Sequence, residues 1–244
     1  MCDLRDMARH RLLITVSLCA VSALRAMSVH AQSLPVVPPI AAKVEGPIEQ
    51  IELGPILRER YVCMEHSLGE LVYAGDALGT DCMSVGGAPA EPYIKFYRTD
   101  GRENADWYGW RSEVLAPSDG EVAFVSSTTE INVPGKFGRP PGGGVRIRTR
   151  DGVIVILGHL SEITVKLGDH VSRGQVIGRV GNNGMARAPH THVGAYRETT
   201  ATPLQVRWNL RAMAEERARA GEERCPGCKE AAERNASPAR RDTP

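Results

Sequence analysis

The chain has 244 residues, with 30 Lys and Arg against 29 Asp and Glu, and 42% of it is hydrophobic. That length allows one domain of moderate size with extensions, or two small ones, and the apolar share is enough for a packed core. The near balance of charge gives no electrostatic footprint for nucleic acid or an anionic membrane, so neither is an expected partner.

The first residues read as a targeting segment. Arg5, Arg9, His10 and Arg11 precede the apolar run from Leu12 to Val21, and small residues then lead to Val29-His30-Ala31. This is the n-region, h-region and small-residue cleavage pattern of a secretory signal, with cleavage expected after Ala31. The apolar run is too short to span a bilayer comfortably, so no membrane span is expected after cleavage. The protein is expected to be exported, either periplasmic or secreted. Loss of residues 1–31 removes four Arg and two Asp, leaving 26 basic and 27 acidic residues. It also leaves four cysteines, Cys63, Cys82, Cys225 and Cys228, an even number in an oxidising compartment. Sequence proximity favours Cys63–Cys82 and Cys225–Cys228, although three connectivities are open and four thiolates could instead hold a structural zinc.

Residues 32–57, rich in proline and small residues, read as a linker or an arm lying on the domain. The domain itself is expected over 58–208. Leu71-Val72-Tyr73-Ala74-Gly75-Asp76-Ala77-Leu78 fits a strand with alternating faces. From Gly79 to Arg111 the chain is irregular, and Asp106-Trp107-Tyr108-Gly109-Trp110 either walls a cleft or covers the end of a core. Strand-like runs resume on both sides of Asp119-Gly120, and a Gly/Pro loop covers 133–144. Val145–Arg150 and Val153–Leu157 flank Asp151-Gly152, the strongest hairpin signal in the chain. His159 then falls at a strand terminus, where a sheet presents reactive groups. Closely spaced glycines mark short strands between Ile163 and Val180, with His170 in an exposed turn. Leu210–Arg234 has helical propensity but few apolar anchors, and 235–244 read as disordered. No internal repeat is present. The fold class expected is all-β, a mainly antiparallel, barrel-sandwich-like core with a helical C-terminal extension over 209–244.

His190 and His192 stand two apart in an extended segment, so both rings share one face of a strand. By itself such a pair fits a metal site, a proton-transfer site or a solvated strand face. His66 and Asp76 are further candidates, against plain readings as a surface histidine and a turn residue.

Four elements in series resemble the M23 (LytM/lysostaphin-like) zinc metallopeptidase family. They are Gly158-His159-Leu160, the run Val165–Gly178, the turn Gly181-Asn182-Asn183-Gly184, and Pro189-His190-Thr191-His192. The resemblance covers about residues 113–197 and implies one Zn2+, an antiparallel β core and a groove for extended peptides. The implied function is an endopeptidase cutting peptide cross-links of bacterial peptidoglycan. His192 would be a zinc ligand, and His159 and His190 the non-ligand histidines that assist the attacking water and stabilise the tetrahedral intermediate. The family's other two ligands are a histidine and an aspartate, usually four apart, a pattern missing after residue 31. His66 with Asp76 in Tyr73-Ala74-Gly75-Asp76 resembles a Tyr-Ala-x-Asp variant, so both are expected metal ligands. No zincin His-Glu-x-x-His is present, which leaves His159 or His190 as general base.

Two other classes compete. One is a metal-free relative that binds cell-wall peptides or activates a partner amidase, in keeping with the unusual His66/Asp76 spacing. The other is a biotinyl or lipoyl carrier or a sugar-phosphotransfer domain, disfavoured because Lys166 is not in a hairpin turn. Oligomeric state is not legible.

Overall fold

The structure is a computed structural model that describes residues 33–86 and 94–219. The expected signal segment, Cys225, Cys228 and the far C-terminus lie outside the described residues. In chain order the strands are β1 (Gln50–Leu53), β2 (Tyr61–Glu65), β3 (Thr80–Ser84), β4 (Glu113–Leu115), β5 (Gly120–Ser126) and β6 (Gly144–Arg148). They continue as β7 (Val153–Gly158), β8 (Leu160–Ser161), β9 (His170–Val171), β10 (Val176–Val180), β11 (Thr191–Arg197) and β12 (Pro203–Trp208), followed by helix α1 (Leu210–Arg219). The protein is thus mostly β, as expected from the short apolar runs between turns.

The main sheet runs β1-β12-β11-β7-β6-β5-β9. Its pairings are antiparallel except β1 with β12. The Asp151-Gly152 hairpin forms as expected, β6 against β7, with Gly152 at φ +75° where a side chain would be strained. By contrast, the runs flanking Asp119-Gly120 do not form a hairpin. β4 joins the small β4-β10-β8 sheet, and β5 joins the main one. One edge of β11 is shared: β3 pairs with Thr191–Val193, and β12 with Ala195 and Tyr196. The other edge of β11 runs along the whole of β7.

Inward side chains of both sheets form the core, among them Val114, Val122, Ile147, Val155, Leu157, Ile177 and Val193. Leu53, Ile56 and Leu57 join it, although they precede residue 58. The Leu71–Leu78 run is not a strand. Its main chain turns back on itself, with the amides of Asp76 and Ala77 both donating to the Tyr73 carbonyl. Gly75 inside the run allows that turn to press against Ile156. Helix α1 is anchored through charge rather than an apolar stripe: Glu216 is buried and pairs with Arg58 and Arg219. Among the described residues no helix is long and apolar enough to cross a membrane.

Candidate active site

Strand β11 divides its side chains between two environments. Thr191, Val193 and Ala195 are buried, the latter two in the main core, so His192, Gly194 and Tyr196 face the other way. His190, bridged to Gly181 just before the strand, shares the face of His192. The expected placement of both rings on one side therefore holds.

The β2–β3 hairpin brings the next groups in. The Cys63–Cys82 disulfide joins directly opposed residues of the two strands, as one of the expected pairings has it. Beyond it the chain continues to His66, whose amide donates to Gly79 O at 2.8 Å. Across β3 the register sets Asp81 opposite His192, and opposed residues of adjacent strands project to the same face. Asp81 Oδ1 lies 3.0 Å from His192 Nδ1, and Oδ2 lies 3.6 Å from His66 Nε2. The His66 and His192 rings stack with centroids 5.4 Å apart. One donor atom from each of His66, Asp81 and His192 falls within 4.8 Å of the others, the spacing of a metal-ligand set.

Asp76, the carboxylate expected from the sequence, stands on the far side of His192. Its Oδ1 lies 3.1 Å from Nε2, the ring nitrogen that also faces Gly75 O at 3.2 Å. The Asp76 backbone carbonyl accepts from His66 Nδ1 at 3.0 Å. The structure thus brings His66, Asp76 and His192 together, but the three-donor set contains Asp81, which the sequence motifs did not single out, in place of Asp76. The signal was present in the cysteines. A hairpin with Cys63 opposite Cys82 aligns residues 64–66 with 81–79, and that alignment carries Asp81 to His66.

His192 is enclosed by the two carboxylates. Burial opposes its charge, but Asp76 and Asp81 outweigh burial and raise its pKa to about 10. Burial pushes the Asp81 carboxyl up, yet hydrogen bonds from His190 and His192 hold it well below the usual carboxylate range. Two anions converging on one imidazole call for positive charge. In the metal-free protein the second proton on His192 supplies it. A divalent cation between Nδ1 of His192, Nε2 of His66 and the Asp81 carboxylate would replace that proton, so these residues fit a metal.

His159 follows β7 directly and takes φ +62°, a left-handed conformation rare outside glycine. Its Nδ1 donates to Asn183 O at 2.9 Å, and its ring lies 4.6 Å from that of His190. Burial, with His190 and His192 nearby, lowers its pKa to about 3, so the ring is neutral near pH 7. His190 donates from Nδ1 to Ala188 O at 2.8 Å. A carbonyl can only accept, so both rings carry a proton on Nδ1; the neutral His159 offers a bare Nε2, whereas Nε2 of His190 faces Asp81 Oδ1 at 3.5 Å. All four imidazoles line one groove, whose walls include Met64, Tyr73, Phe124, Phe137 and Met185. His170 is exposed on β9, away from this groove. The aromatic cluster does not line it either: Trp107 packs edge-on to Tyr97 and donates to Gly101 O.

A three-donor set with two further imidazoles beside it in an open groove fits a hydrolytic metal centre. The sequence agrees, because residues 108–204 match peptidase family M23. Over residues 108–204 the chain is similar to M23 peptidases. The matched stretch contains His159, His190 and His192, whereas His66, Asp76 and Asp81 precede it.

Solved M23-type structures resemble the chain. A Pseudomonas aeruginosa protein described as a peptidase M23 is 29% identical over 39% of this chain and 37% of its own, with a TM-score of 0.31. The catalytic domain of lysostaphin from Staphylococcus simulans is 21% identical over 59% of this chain and 88% of that one, with a TM-score of 0.36. The M23 metalloprotease pseudoalterin, from the deep sea, is 14% identical over 64% and 74%, with a TM-score of 0.39. The chain therefore spans well under two thirds of the Pseudomonas protein. No curated protein matches the sequence.

Proposed function

We propose that the protein is an exported, single-zinc endopeptidase that hydrolyses peptide cross-links of bacterial peptidoglycan. The observation that carries this reading is the convergence of His66, Asp81 and His192 within 4.8 Å at the floor of a groove. Export is supported by the N-terminal pattern and by the Cys63–Cys82 disulfide, a bond that persists in oxidising compartments. The M23 region supports the peptidase class.

A bound zinc would supply Lewis acidity to the scissile carbonyl and lower the pKa of water. His66, Asp81 and His192 would hold it, one carboxylate and two neutral rings. His159 presents a bare Nε2 from the wall of the groove, and Nε2 of His190 beside it faces Asp81 Oδ1 at 3.5 Å. At neutral pH His159 accepts the proton of the attacking water. The resulting imidazolium returns a proton to the leaving amine, which otherwise departs as an unstable amide anion. His190, whose Nε2–H faces Asp81, is placed to donate to the developing oxyanion. An extended substrate would lie along the groove, its backbone crossing in front of the four rings.

The test is zinc content of the purified protein together with release of free peptide ends from sacculi. Stoichiometric zinc in the wild type, lost in His66→Ala and His192→Ala, is expected, with amine release that a chelator abolishes. A wild type without stoichiometric metal would overturn the hydrolase reading. Zinc without released amines would overturn only the substrate.

A further inference from the structure

Asp76 and Asp81 both face His192, yet on opposite ring nitrogens. The two oxygens of Asp81 are divided between Nδ1 of His192 and Nε2 of His66. Asp76 makes no such bridge. Its carboxylate meets Nε2 of His192, and it meets His66 only through its main-chain carbonyl, at Nδ1. Gly75 O adds a second acceptor at the Nε2 of His192. Every acceptor on the 75–76 turn therefore takes an N–H from a ring nitrogen that points away from Asp81.

We propose that Asp76 is a positioning residue that fixes the tautomers of both histidine ligands. Its carboxylate holds the Nε2–H of His192 and its carbonyl the Nδ1–H of His66, so the nitrogens that face Asp81, Nδ1 of His192 and Nε2 of His66, are the two left for the metal. The proposal rests on the metal-site reading above and changes the ligand expected from the sequence. Such outer carboxylates orient the ring and raise its basicity, and their loss typically weakens metal binding about 10–100-fold. The main chain after Asp76 passes close against the ring it orients, since a Cβ at Gly79 would come within 2.8 Å of His192 Cε1.

The experiment measures zinc affinity by chelator competition, and the visible spectrum of the cobalt-substituted protein, for four forms. Asp81→Asn is expected to lose stoichiometric binding. Asp76→Ala is expected to bind about 10–100-fold more weakly, yet show the wild-type cobalt spectrum at saturation, because the ligands are unchanged. Asp76→Asn keeps an oxygen that accepts the Nε2–H, and should recover most of the affinity. The proposal is overturned if Asp76→Ala binds like wild type, if Asp76→Asn binds no better than Asp76→Ala, or if the cobalt spectrum changes in either. It is also overturned if Asp81→Asn keeps stoichiometric zinc. A wild type that binds neither metal overturns the metal-site reading itself, and the proposal with it.

Discussion

His159 and Asn183 hold each other in place. The His159 ring donates to the Asn183 carbonyl at 2.9 Å, and the Asn183 amide returns to the carbonyls of His159 at 3.4 Å and Leu160 at 2.9 Å. Asn183 Oδ1 also accepts from the Gly143 amide at 2.8 Å, which ties the 140s loop to the same point. A left-handed histidine costs on the order of 1–3 kcal/mol and persists only where its surroundings over-determine it.

Asn183→Ala removes that support. The variant is expected to lose about 1–3 kcal/mol of stability for the stranded main-chain groups. Misplacing His159 should lower kcat about 100-fold. Zinc content should stay stoichiometric, since the M23 wall and not the ligand set is disturbed. Metal analysis beside steady-state kinetics checks it, and parallel loss of zinc would show that Asn183 supports the ligands instead.

Gly194 lies on β11 beneath the turn that carries Asp76. A Cβ there would overlap the carbonyl oxygen of Gly75. Gly194→Ala should therefore push the 73–79 turn off the strand, costing about 1–3 kcal/mol as overpacking does. Zinc affinity should fall with it, because the acceptors for both imidazoles move together. Thermal unfolding and chelator competition on the same sample test the coupling.

The disulfide closes a separation of 19 residues next to Asp81. Cys63→Ser is expected to destabilise the domain by about 3 kcal/mol, the usual scale for a loop of this length. Holding zinc at saturation should restore part of the loss, because the metal would cross-link the same hairpin through His66 and Asp81. Denaturant melts with and without zinc measure both terms. Equal losses in the two conditions would separate the disulfide from the site.

Metal binding should strengthen as pH rises. In the metal-free protein His192 keeps its second proton up to a pKa of about 10, and the metal must displace it. Between neutrality and that value the apparent affinity should increase about tenfold per pH unit, one proton being released. Chelator competition at several pH values in non-coordinating buffers gives the slope.

Two histidines set opposite signs on the stability of the metal-free protein. His192 has a raised folded pKa, so its stabilisation is complete below the unfolded value of 6.5 and is lost as pH climbs toward about 10. His159 has a folded pKa lowered to about 3. Its unfolded form takes up a proton that the folded form refuses, so stability falls as pH drops from 6.5 toward that value. Melts of wild type, His192→Ala and His159→Ala across about pH 4–10, a range set by those pKa values, should show the two slopes disappearing separately.

The sequence by itself determined the β architecture and half of the site. Period-two patterning and the Asp-Gly turn fix β6 and β7 locally, and His190 and His192 share a face because strand geometry leaves them no alternative. The order of His159, Asn183, His190 and His192 is compact in the chain, so a family resemblance could find it. Only the tertiary structure set Asp81 between the two rings. Asp76 and Asp81 are five residues apart and chemically identical, and nothing local says which one faces Nε2 of His192 and which one Nδ1. That choice comes from the Cys63–Cys82 register and from the pairing of β3 with β11. Both join residues far apart in sequence, and the second sets Asp81 directly across from His192.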